Sequence, residues 1–191
     1  MLLFAALLIV ILLVGIVRGR ERLHALADLP VRHLWTVPLA LALQLPLMRV
    51  PAARAASDLL VPRLAFVASY VLLGWALWAN RRLPGMSWLA AGVLLNGLAI
   101  ATNGGWMPIA PEAVAALGDS AWPVGTHHGT LKDVVLPRSI TRLWFLSDIF
   151  VIPRPFPWPT AFSIGDILIV VGVACFSWQL LLRQPLQGSR G

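Results

Sequence analysis

Five apolar runs, four of them closed by arginine, limit what this chain can fold into more than any other feature: 2–17, 34–48, 64–79, 86–102 and 161–182. A helix needs about 17–25 mostly apolar residues to cross about 30 Å of hydrocarbon, where no backbone polar group can be left unpaired. The composition agrees: 59% of the 191 residues are hydrophobic and 12% are charged, against about 45–50% and about 25% in soluble domains. The expectation is one all-α integral membrane domain of about five transmembrane helices. A long Pro-rich extracytoplasmic loop, 103–160, joins the fourth helix to the fifth.

Individual runs differ in quality. Leu2–Val17 has no polar side chain and its positive charge follows it, at Arg18, Arg20 and Arg22. A secretory signal places that charge in front, so a retained helix is expected. The 34–48 run is interrupted by Pro38, Gln44 and Pro46 and reads as a kinked or partly re-entrant helix. In 86–102, Gly92, Asn96 and Gly97 suit close helix packing, with Asn96 facing a partner helix.

The net charge of +7 would suggest nucleic acid in a soluble protein. Here the arginines flank apolar runs and read as membrane anchors, so no nucleic-acid partner is expected. Arg18, Arg20, Arg22, Arg32, Arg81, Arg82, Arg183 and Arg190 fall on one side of a five-span arrangement, while the charges of 103–160 cancel. The positive-inside rule then places the N-terminus and the long loop outside and the C-terminus in the cytoplasm.

Of the eight carboxylates, six lie in polar stretches and read as solvated charges. Asp148 and Asp166 differ. Asp148 follows the apolar run Leu143-Trp-Phe-Leu-Ser, and Asp166 lies just inside the last apolar run. An ionisable group at that depth is costly and is placed against a partner or a wet cavity. Pro153, Pro155, Pro157 and Pro159 enforce an extended excursion between the two acids. If that excursion folds back, the carboxyls meet and share a proton, one activating water while the other polarises a carbonyl. The duller alternative makes Asp166 a cap of the last helix, with Asp148 paired to Arg142 or Arg154 at the surface.

These residues carry two resemblances. Ser147-Asp148-Ile-Phe, the Pro- and Trp-rich stretch, and Phe162-Ser-Ile-Gly-Asp166 are similar to the C-terminal third of lipoprotein signal peptidase, an intramembrane aspartyl peptidase. That resemblance implies Asp148 and Asp166 as the catalytic pair. Ser163 and Gly165 replace the Asn and Ala of the family's second motif, and its Gly-Asn-x-x-Asp-Arg segment has no counterpart here. More of the chain, through Asn103-Gly-Gly-Trp-Met-Pro108, Leu143-Trp-Phe-Leu-Ser-Asp148 and Phe162-Ser-Ile-Gly-Asp166, resembles an uncharacterised family of small bacterial polytopic membrane proteins.

Gly104 and Gly105 allow the chain to turn sharply out of the fourth run. Asn103 is a candidate for holding a substrate carbonyl, with Arg142 assisting, although taken by itself Asn103 is better explained as a helix-end cap. His127-His128 reads as a polar turn, because no acid or cysteine stands at metal-ligand spacing around it. Cofactor and nucleotide motifs are absent. Six of the nine tryptophans fall in or at the ends of the apolar runs, as an aromatic belt does. Three functions remain: a membrane-embedded aspartyl hydrolase acting on a membrane-anchored peptide or lipid; a non-enzymatic component whose outer loop docks a partner or lipid; and, weakest for want of an inverted repeat, a transporter or channel with Asn96 and Asp166 lining a polar path.

Overall fold

The computed structural model describes residues 31–49, 60–118, 122–128 and 133–182. The 2–17 run lies outside the described residues. Four long helices form from the other apolar runs: α1 (Thr36–Arg49), α2 (Leu60–Ala79), α3 (Met86–Thr102) and α5 (Ile164–Leu182). Their bounds lie within four residues of the sequence expectation, since apolar side chains mark where each helix buries or presents its surface. By length and composition α2 can cross a membrane, whereas the apolar helices 36–45, 86–102 and 164–179 are shorter.

The helices pack in series, α1 on α2, α2 on α3, and α3 most extensively on α5. Glycines set the α3–α5 approach. A Cβ on Gly92 would lie 2.5 Å from the Gly165 carbonyl oxygen, and one on Gly172 would lie 2.8 Å from the Gly85 oxygen. Small residues allow backbones this close. Across α1 and α2, Gln44 Nε2 donates to Ser69 Oγ at 2.7 Å, so the polar atom of the broken run faces protein.

The segment expected as one long loop is a folded cap. It carries β1 (Met107–Ile109), α4 (Pro111–Ala116), β2 (His127–His128), β3 (Asp133–Val135), a 3₁₀ turn (Trp144–Leu146), β4 (Phe150–Ile152) and β5 (Thr160–Phe162). Strands of two or three residues are too short to show a period of two in sequence. β3 lies between β1, to which it is parallel, and β2, to which it is antiparallel. His127-His128 is thus strand rather than polar turn. β4 and β5 form an antiparallel hairpin, and Ile109 bridges to Asp148 along the remaining side of β1.

Two apolar clusters hold the cap. Ile109, Ala113, Val114, Leu117 and Val135 form its own core. Phe66, Ala99, Ile100, Trp106, Met107, Val134 and Leu146 join it to the ends of α2 and α3. Burying such side chains contributes about 1.5–3 kcal/mol each for the larger ones, so the cap is anchored on the bundle.

Candidate functional site

Asp166 sits at the third position of α5, and Ser163 immediately precedes the helix. The Ser163 hydroxyl accepts from the Asp166 amide at 3.0 Å, and the Asp166 carboxylate accepts from the Ser163 amide at 3.0 Å. This reciprocal pair is a capping box, which satisfies backbone donors that a helix start leaves unpaired. Asn96 of α3 completes the cluster: its Nδ2 donates to Asp166 Oδ1 at 3.0 Å, and the Ser163 hydroxyl lies 2.8 Å from its Oδ1. The Ser163 hydroxyl also lies 3.0 Å from Asp166 Oδ2, so its single hydrogen has two acceptors in reach. Gly165 is required beside this cluster, because a side chain there would overlap the Asn96 amide.

The sequence contained the signal for this arrangement. Ser163-x-x-Asp166 directly before an apolar run is a capping-box signature, and a mid-run asparagine implies a partner across the helix interface. The sequence expectations include Asp166 as a helix cap and Asn96 facing a partner helix, but not Ser163 as the residue that joins the two.

Asp148 lies at the edge of the cap sheet. Its amide donates to the Pro108 carbonyl at 3.1 Å, and the residue is 1% exposed. It is therefore not a surface charge beside Arg142 or Arg154, both of which are exposed. The apolar residues on either side of it, Leu146 and the β4 strand, carry it inward.

The hairpin connects the two acids. Phe150 is in register with Phe162, and their rings stack with centroids 5.5 Å apart. β4 starts two residues after Asp148 and β5 ends one residue before Ser163. The excursion through the four prolines thus runs out along β4 and back along β5 before α5 begins. Asp148 and Asp166 stand at the same end of that hairpin.

Asn103 and Arg142 are also brought together, but through the backbone of Arg142. The Arg142 amide donates to Asn103 Oδ1 at 2.9 Å, and Asn103 Nδ2 donates to the Arg142 carbonyl at 2.8 Å. The same Nδ2 reaches the Ala99 carbonyl at 2.7 Å, which is the helix-end cap weighed from sequence. Gly104 and Gly105, with φ of 76° and 90°, then turn the chain across Arg63 of α2. A Cβ on Gly105 would lie 2.8 Å from the Arg63 Cβ.

The motifs therefore converge. Asn103-Gly-Gly-Trp-Met-Pro108 delivers β1, whose Pro108 carbonyl receives Asp148. The hairpin joins Asp148 to Phe162-Ser-Ile-Gly-Asp166, and Asn96 fixes that motif to α3. Among the described residues, no three His, Cys, Asp or Glu side chains group to hold a metal ion.

Comparison with known proteins gives the kinship of the chain. It is 33% identical over 129 residues to an uncharacterized protein of Thermotoga maritima, an alignment covering 62% of this chain and 62% of that protein. The chain thus spans about 62% of the length of that relative. No solved structure matches it. Residues 28–178, which hold all three motifs, match the profile of a family of unknown function, DUF5317, and the chain belongs to that family.

Proposed function

We propose that this protein is an integral membrane component whose helices lie in the bilayer and whose cap, on the outer face, docks a partner or lipid without performing chemistry. The observation that carries the non-catalytic part is that two of the polar side chains singled out for chemistry, Asp166 and Asn103, are engaged within the fold. Both Asp166 oxygens accept from Ser163 or Asn96, and both amide atoms of Asn103 bond the Arg142 backbone. The bilayer part is supported by the helix surfaces. Leu64, Val71 and Trp78 of α2, Leu94 of α3 and Trp178 of α5 are more than half exposed, while Ser69, Asn96, Ser163 and Ser177 are buried. Polar groups inside and apolar groups outside is the distribution that hydrocarbon favours.

Placing arginine at Leu94, midway along α3, tests the bilayer part against arginine at Ala115, exposed on α4. A charge at the centre of a spanning helix costs about 2.5–3.5 kcal/mol, whereas a surface change costs within about 0.5 kcal/mol. Leu94→Arg is expected to abolish membrane insertion and Ala115→Arg to leave it intact; equal insertion of the two sinks the reading. Labelling a cysteine at position 115 with a membrane-impermeant maleimide in intact cells tests the outer placement of the cap.

A second reading, an aspartyl hydrolase acting on a membrane-anchored peptide or lipid, is favoured by one observation: the hairpin returns Asp148 to the start of α5. There Asp148 and Asp166 would hold one proton between them and activate water, with Asn103 and Arg142 near the substrate. Purified protein incubated with a fluorogenic lipopeptide separates the two readings. Hydrolysis that disappears in Asp148→Asn, with the thermal melt unchanged, establishes the hydrolase and removes the non-catalytic proposal.

A further inference from the structure

Resting on the bilayer reading above, we infer that the segment from Arg138 to Phe145 is an interfacial anchor that seats in the outer headgroup layer and binds anionic phospholipid. Ile140 is 61% exposed and Phe145 46% exposed, and Leu143 is turned outward in the left-handed region at φ 50°. A leucine adopts that conformation only where neighbouring contacts impose it. The Asn103 bonds to the Arg142 backbone fasten the segment to the C-terminal end of α3. On α3, Leu94 and Leu98 are exposed, and the helix packs against the Trp144–Leu146 turn that overlaps the segment.

Charge decides the occupant. The Arg138 guanidinium lies 3.2 Å from the centroid of the Trp144 ring, and Arg142 is exposed. Residues 134–147 contain no acid. Of the charged side chains exposed on the described cap, Arg138, Arg142 and Arg154 outnumber Glu112. Aromatic rings prefer the headgroup level of a bilayer, and each arginine near an anionic surface adds to attraction. Exposed aliphatic groups set between two cations fit a layer of phosphates above acyl chains better than they fit water.

The test uses the full chain with Cys175 replaced by serine and a single cysteine at 140, 94 or 115, labelled with a polarity-sensitive fluorophore. Each is reconstituted in vesicles of phosphatidylcholine, or of phosphatidylcholine and phosphatidylglycerol in equal amounts, with a shallow or a deep nitroxide lipid. The expected result at 140 is a blue-shifted emission quenched by the shallow nitroxide, more strongly with phosphatidylglycerol. Arg138→Gln with Arg142→Gln should remove that dependence on anionic lipid. A label at 140 as unquenched as the one at 115, with the label at 94 quenched by the deep nitroxide, overturns the anchor and leaves the bilayer reading standing. Quenching at 140 that is equal in both vesicles overturns the anionic assignment. An unquenched label at 94 overturns the bilayer reading and the anchor with it.

Discussion

Asn80 and Asn103 stand at opposite ends of the bundle, each just past the C-terminus of a helix, and each makes the same set of bonds. Asn80 pairs through both amide atoms with the backbone of Arg32 at 2.8 Å and bonds the Ala76 carbonyl at 2.7 Å. Asn103 does the same with Arg142 and Ala99. A side-chain amide presents a donor and an acceptor side by side, as a peptide does, so it can bond both backbone groups of one turn residue while stopping the helix. The two ends part company beyond the asparagine. After Asn80 come two arginines and a short turn into α3; after Asn103 come two glycines and the whole cap. Asn103 is therefore a fastening of a kind that the fold also uses at the end where no chemistry was expected.

The cap end has one further tie, the Asn96–Ser163–Asp166 cluster, and its removal should separate the two ends most severely. Gly165→Val would drive a side chain into the Asn96 amide; a cost above about 3 kcal/mol is expected from overpacking plus an unpaired buried amide. Loss of the monodisperse detergent-solubilised species would register it, and a folded variant would show that the helices can part freely. Asp166→Ala should cost about 1–3 kcal/mol, because Asn96 Nδ2 and the Ser163 amide lose their acceptor. Chemical denaturation in micelles measures this.

The paired asparagines then probe how far the likeness extends. Asn80→Ala is expected to cost about 2 kcal/mol and Asn103→Ala about 1 kcal/mol, since Asn80 is buried and Asn103 only partly so. Hydrogen exchange should show faster exchange of the Arg32 amide in the first variant and of the Arg142 amide in the second. No change at either amide would mean the amide bridges do not form. The smallest effect is reserved for Arg142→Gln, which leaves the backbone partner in place: stability should change by less than about 0.5 kcal/mol.

The helices were legible because each apolar run is long enough to announce itself, and Arg49, Asn80 and Asn103 stand at or just past their ends. A non-helical excursion between Asp148 and α5 was legible from four prolines in alternation, and the structure makes it the β4–β5 hairpin. The cap sheet was not, because strands such as His127–His128 take their pairing from β3 rather than from any local pattern. The burial of Asp148 was hidden for the same reason: nothing in Leu-Ser-Asp-Ile shows that Pro108, forty residues earlier, accepts its amide. Ser163 was legible too, because a hydroxyl three residues before an acid at the head of an apolar run is a capping-box pattern.

The brevity of the cap strands bears on how such a protein survives at high density. A sheet edge recruits other chains when it offers a row of unpaired backbone groups. Here the outer strand of the larger sheet, β2, is two residues long, and β1 is covered on both sides, by β3 and by Asp148. Such an edge gives a neighbouring copy almost no template for cross-chain pairing, so crowding many copies together need not seed aggregation through this sheet.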